Sequence, residues 1–143
     1  MKDKMRNDGF SLVELIIVIA IMAILVAILA PQYIKYVEKS RLAADDDFLS
    51  NIHDVVAVAI TDENIIRRPL DGFSAVDIKD LDATSYPEFV TQIQDDLGGD
   101  LSSLSSRLQS KNFRNQPIMV EISSIQKVTV TVTSPDGSSS IQW

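Results

Sequence analysis

From Phe10 to Ala30 the chain carries 21 residues with one charge, Glu14, and neither proline nor glycine. No other feature constrains the fold as much. As a helix the run covers about 31 Å, close to the hydrocarbon thickness of a bilayer. Before it comes a mostly polar stretch of nine residues in which Lys2, Lys4 and Arg6 outnumber Asp3 and Asp8. Basic residues on that flank place the N-terminus in the cytoplasm and the bulk of the chain outside. A secretory signal would have a shorter apolar core and then a small-residue cleavage site. Here the run leads through Ala30-Pro31 into further helical sequence. A plain membrane anchor is the simplest use of such a segment.

Glu14 does not suit a plain anchor. A carboxylate near the start of a membrane helix is costly, and such residues are functional candidates. It lies four positions after Phe10, about one helical turn away. If the chain were cut before Phe10, a new amine would appear on the same helix face. The amine of a neighbouring copy, offset along the helix, could then pair with the carboxylate in an apolar setting. The pair would fix the stagger between copies, because an unpaired charge there is strongly unfavourable.

Gly9-Phe10-Ser11-Leu12-Val13-Glu14-Leu15 resembles the processing signal of type IV prepilins and pseudopilins. The resemblance continues along the aliphatic run to Pro31, the twenty-second residue after the cut it implies. It covers roughly the first quarter of the chain. It implies cleavage between Gly9 and Phe10 by a prepilin peptidase and N-methylation of Phe10. It also implies assembly guided by Glu14, in the membrane, by a platform and motor ATPase. Beyond residue 31 the sequence carries no specific family match.

Four regions follow: a leader at 1–9, a transmembrane and assembly helix at 10–31, its continuation at 32–61, and an extracytoplasmic head at 62–143. Pro31 removes one helical hydrogen bond and tends to kink or loosen the preceding turn. The helix either stops there or continues. Residues 32–61 contain no further glycine or proline and read as helix. Phe48, Leu49, Ile52, Val55, Val56, Ala59 and Ile60 fall on one stripe about 120° wide, as for a helix docked on a core. Nearer the membrane the same face carries Glu38, Arg41 and Asp45, spaced so that Arg41 can pair with either acid. These three are candidate inter-subunit charges, or else a solvated face. Asp45-Asp46-Asp47 point in three directions on a helix and do not converge on one ion.

Pro69 and Asp71-Gly72 break the segment after Thr61, with a short strand or turn expected at Phe73–Val76. Ser85-Tyr86-Pro87-Glu88 reads as a helix start, with Ser85 as cap and Glu88 in the capping-box position. Phe89, Val90, Ile93 and Leu97 follow at helical spacing, and Gly98-Gly99 stops the helix. Leu101, Leu104 and Leu108 mark one more short helix or a surface stretch. Ile118, Val120 and Ile122, then Val128, Val130 and Val132, alternate with other residues as in strands. After the Pro135-Asp136-Gly137 turn, Ile141 and Trp143 mark a last short strand. The expected fold is α+β: a long N-terminal helix packed on a small antiparallel sheet. This ladle is also the architecture that the resemblance implies.

The formal charge is −7, and −8 without the first nine residues. An acidic body lacks the basic contacts that unaided nucleic-acid binding requires. There is no cysteine, so disulfides, thiol nucleophiles and cysteine-ligated zinc are excluded. His53, the only histidine, falls at the edge of the stripe. No Gly-rich phosphate loop or nucleophile-elbow pattern is present. Asp95, Asp96 and Asp100 could contribute to a calcium site, as the resemblance to pseudopilins allows, but they lack EF-hand spacing and read rather as helix-end solvation. No enzyme activity, cofactor or metal is expected. The leading function is a structural pilin whose main partner is a second copy of itself. It would be held by membrane lipid before assembly and exposed outside the cell afterwards. A pseudopilin of a type II secretion or DNA-uptake system shares every N-terminal feature, although an intact Glu14 suits a shaft subunit better than a tip subunit. A membrane-tethered enzyme or adhesin is the third reading.

Overall fold

The computed structural model describes residues 10–62, 73–81, 83–123 and 127–143. Its elements are α1 (Leu12–Thr61), β1 (Phe73–Asp77), a 3-10 helix (Ile78–Asp80), α2 (Pro87–Leu97), a second 3-10 helix (Leu101–Arg107), β2 (Ile118–Ile122), β3 (Val128–Thr133) and β4 (Ser140–Gln142). The chain divides into two compact units, Met1–Val37 and Glu38–Trp143.

In the first unit, the described residues from Leu12 onward belong to α1. Aliphatic and alanine side chains hold the helix through the apolar run, and Pro31 lies inside it. The helix continues past this proline because only one hydrogen bond, to the Ala27 carbonyl, requires the missing amide. Every residue from Phe10 to Tyr36 is exposed, and α1 is long and apolar enough to cross a membrane.

The second unit holds the core. On its stretch of α1, the buried residues Asp45, Leu49, Ile52, Val56, Ala59 and Ile60 recur at helical spacing. They correspond to the apolar stripe seen in the sequence, with Phe48 and Val55 half-buried at its margins. Asp45 extends the buried face one turn toward the N-terminal apolar run.

Against this face lies a four-stranded antiparallel sheet in the order β1-β2-β3-β4. Its register pairs Ile118 with Val132, Val120 with Val130 and Ile122 with Val128, so that all six valines and isoleucines share one face. All six are buried. Threonines and Glu121 take the other face, which follows from the two-residue period of a strand. β1 pairs with β2 through an irregularity between Phe73 and Val76. The sequence expectation for a strand at that point holds; Pro69 and Asp71-Gly72 lie outside the described residues.

α2 adds Phe89, Val90, Ile93 and Leu97 to the core. Its cap differs from the expectation. Tyr86, not Ser85, occupies the N-cap, and it makes no side-chain cap bond. Pro87 takes the first helical position, where its missing amide costs nothing, and this shifts the start by one residue. At the other end Gly98 has φ 81°. The Gly99 amide donates to the Gln94 carbonyl and the Gly98 amide to Asp95. This is the paired closure of a left-handed helix stop.

Leu101 and Leu104 are buried, and they fall on one side of a 3-10 helix because its period is three residues. Asp100 caps that helix by accepting from the Ser102 amide at 2.9 Å. Arg107 lies 4.9 Å over the Phe48 ring and donates to the Leu97 carbonyl at 3.1 Å.

Candidate functional site

The apolar helix begins with a reciprocal cap. The Ser11 hydroxyl accepts from the Val13 amide at 3.3 Å, and Glu14 Oε2 accepts from the Ser11 amide at 2.9 Å. The Leu15 amide donates to the Ser11 carbonyl. Ser11-x-x-Glu14 is the capping-box spacing, with each side chain satisfying a main-chain donor of the other's neighbourhood. Reading Glu14 only as a partner for another copy missed this local role. The signal was present in the four residues. Glu14 therefore stands at the exposed mouth of the helix and already binds an N–H group. Phe10 is 83% exposed just ahead of it. Gly9, the other side of the expected cut, lies outside the described residues.

Pro31 is exposed within α1. The three charges expected on one face part company. Arg41 lies 3.7 Å from Glu38, with both side chains partly exposed. Glu38 also reaches the chain beyond the second 3-10 helix, its Oε1 accepting from the Lys111 amide at 2.7 Å. Asp45 turns inward and is 1% exposed. Its two oxygens accept from the amides of Gln109, at 2.6 Å, and Ser110, at 2.9 Å. Two acids of α1 thus hold three consecutive amides of residues 109–111. The sequence could not reveal this contact, because its halves stand 64 to 73 residues apart.

The other acids also have local duties. Asp46 accepts from the Trp143 indole N–H at 3.1 Å, while Asp47 is exposed. A shallow surface groove of about 330 Å³ runs beside them, lined by Lys39, Leu42, Ala43, Asp46 and Ile141. Asp96 accepts from the Gln92 side chain. His53 Nδ1 lies 3.2 Å from Asp54 Oδ1 at the edge of α1. Chemically, the described residues offer one carboxylate at the start of an exposed apolar stretch, while Asp45, the acid buried in the head, is occupied internally.

Residues 4–30 match the family model of the prokaryotic N-terminal methylation motif. The type IV major fimbrial protein FimA of Dichelobacter nodosus is 29% identical over 85 residues, which is 59% of this chain and 54% of that protein. The chain thus spans about half the length of this curated relative. No solved structure matches.

Proposed function

We propose that this chain, a member of the type IV pilin and pseudopilin family by its N-terminal methylation segment, is a structural subunit of a type IV pilus. The observation that carries the reading is the placement of Glu14 at the start of an apolar helix with no buried residue before Asp45. Such a surface is stable in lipid or against copies of itself, and in water it would aggregate.

The order of events is the one that the likeness to type IV pilins implies. The unprocessed chain crosses the cytoplasmic membrane once, with its basic leader inside and its head outside. A prepilin peptidase hydrolyses the Gly9–Phe10 bond, which frees an amine at Phe10 that is then methylated. An assembly platform and motor ATPase move the subunit out of lipid into the growing filament. There the Phe10 amine of one copy meets Glu14 of another. In a low-dielectric setting that pair sets the stagger, since slipping it by one turn would strand both charges. The subunit itself performs no catalysis; its activity is self-association.

FimA is a major fimbrial protein, and this likeness favours a pilus over a pseudopilus. Intact mass and N-terminal analysis of the protein from its native host tests the reading. The expected species begins at N-methylated Phe10. Material that begins at Met1, with no trimmed form, would overturn it. Finding the chain in long surface filaments, rather than in short structures confined to the envelope, would separate pilin from pseudopilin.

A further inference from the structure

The apolar run ends abruptly in a cluster of a different kind. Between Ser11 and Gln32 there is no aromatic residue and no cation; then come Tyr33, Ile34, Lys35 and Tyr36. All four are exposed, with Tyr33 and Tyr36 each at 70% and Ile34 at 67%. Three residues apart, the two tyrosines stand about 60° from each other around the helix, so their rings occupy neighbouring sectors. Lys35 adds a cation in a chain whose net charge is −7.

Distance along the helix decides what this cluster meets. Tyr33 lies about 34 Å and Tyr36 about 39 Å beyond Phe10, at about 1.5 Å per residue. A bilayer has about 30 Å of hydrocarbon and about 40–45 Å including headgroups. At the mean membrane-helix tilt of about 20° these rises shorten to about 32 and 37 Å along the bilayer normal. With Phe10 at the inner edge of the hydrocarbon, both tyrosines therefore fall in the outer headgroup layer, at about 30–37 Å. A tyrosine ring suits that depth because its body is apolar and its hydroxyl is wet. A lysine suits it because its stem can lie along the lipid while its ammonium meets phosphate.

We infer that Tyr33, Lys35 and Tyr36 form a collar that binds the outer phospholipid headgroups and sets the depth of the unassembled subunit. This rests on the proposed membrane stage. The collar gives that stage a defined register, with Glu14 held near the opposite edge of the hydrocarbon, within reach of the machinery that processes and captures it. The occupant is phospholipid, because the cluster continues the lipid-sized apolar run and its cation complements the phosphates.

The chain has no cysteine, so single nitroxide labels can be placed freely. The full-length chain, labelled at V26C, I34C or N51C, would be reconstituted in vesicles of phosphatidylethanolamine and phosphatidylglycerol. Collisions with oxygen report hydrocarbon, and collisions with a water-soluble nickel chelate report the aqueous phase. The label at 26 should be shielded from nickel, the label at 51 should be fully reached, and the label at 34 should lie between them. Adding Y33A and Y36A should change nickel access at 34 by about twofold or more as the helix loses its register. Both tyrosines lie outside the core, so the variants should fold. If the label at 26 is as open to nickel as that at 51, the membrane stage itself fails. If 26 is shielded but 34 reports hydrocarbon or bulk water, or does not respond to the double substitution, the collar is wrong. Spin–spin broadening at 34 that disappears on dilution with unlabelled chain would assign the patch to a second copy and also overturn the inference.

Discussion

Asp45 is a buried carboxylate held by two main-chain amides. Each N–H donates to a different oxygen, so removing the side chain leaves two amide donors of Gln109 and Ser110 without it. An unsatisfied buried donor costs about 1–3 kcal/mol. Asp45→Ala should therefore destabilise the head by about 3 kcal/mol, and Asp45→Asn by roughly half of that, because one acceptor survives. Denaturant unfolding of the detergent-solubilised chain measures both; a loss within about 0.5 kcal/mol for alanine would show that water replaces the carboxylate. Asp136 shows a different response, to acid. Hydrogen bonds from the Ser134 hydroxyl, the Ser138 hydroxyl and the Ser138 amide hold its carboxyl at about 2, below its ordinary 3.8. The folded value is the lower one. The contribution of these bonds is thus fully present above the ordinary value and is lost as pH falls through about 2. The Ser138 amide chemical shift should stay flat from neutral pH to about 4 and then move, and Asp136→Asn should abolish the movement.

Elements differ in how far their own residues determine them. α2 ends where Gly98 adopts φ 81°, and a Cβ added there would meet nothing within 4 Å. The cost of Gly98→Ala is then backbone strain alone, about 1 kcal/mol, with asparagine costing less because it tolerates the left-handed region better. Thermal unfolding of the two variants checks that order; equal midpoints for alanine and asparagine would place the cost elsewhere. This stop was legible because glycine pairs announce it locally. The α1 stripe and the alternation in β2 and β3 were legible for the same reason, since their periods are written in adjacent residues. The α2 cap was read one residue early because Pro87 at the first helical position outweighs the hydroxyl of Ser85. Asp45 could not be placed from sequence at all. A buried acid is explained only by what surrounds it, and Gln109 and Ser110 come from another element entirely. At the start of α1 the reverse occurred: the capping box was local and readable, but the cost of a charge in an apolar run directed attention to a distant partner.

At the scale of the molecule, Glu14 serves a subunit alone and, in the proposed filament, a subunit among copies. Alone, it accepts from the Ser11 amide and starts the helix. Among copies, its charge answers the amine of a neighbour. The two roles make different chemical demands, since the first needs only an acceptor oxygen and the second needs a negative charge. Glu14→Gln keeps an acceptor at nearly the same reach and removes the charge, whereas Glu14→Ala removes both. Ser11→Ala keeps the charge and removes the capping hydroxyl, worth about 1 kcal/mol at a helix start. If the charge sets the stagger, Glu14→Gln and Glu14→Ala should both lose filament incorporation by more than about tenfold at equal subunit level, for stranding an amine in an apolar core costs several kcal/mol. Ser11→Ala should assemble nearly as the parent does. Quantifying sheared filaments against total subunit decides between the roles. Should Glu14→Gln assemble as well as the parent while Ser11→Ala fails, the acid would be a helix cap and nothing more, and the stagger between copies would have to come from the packing of aliphatic side chains.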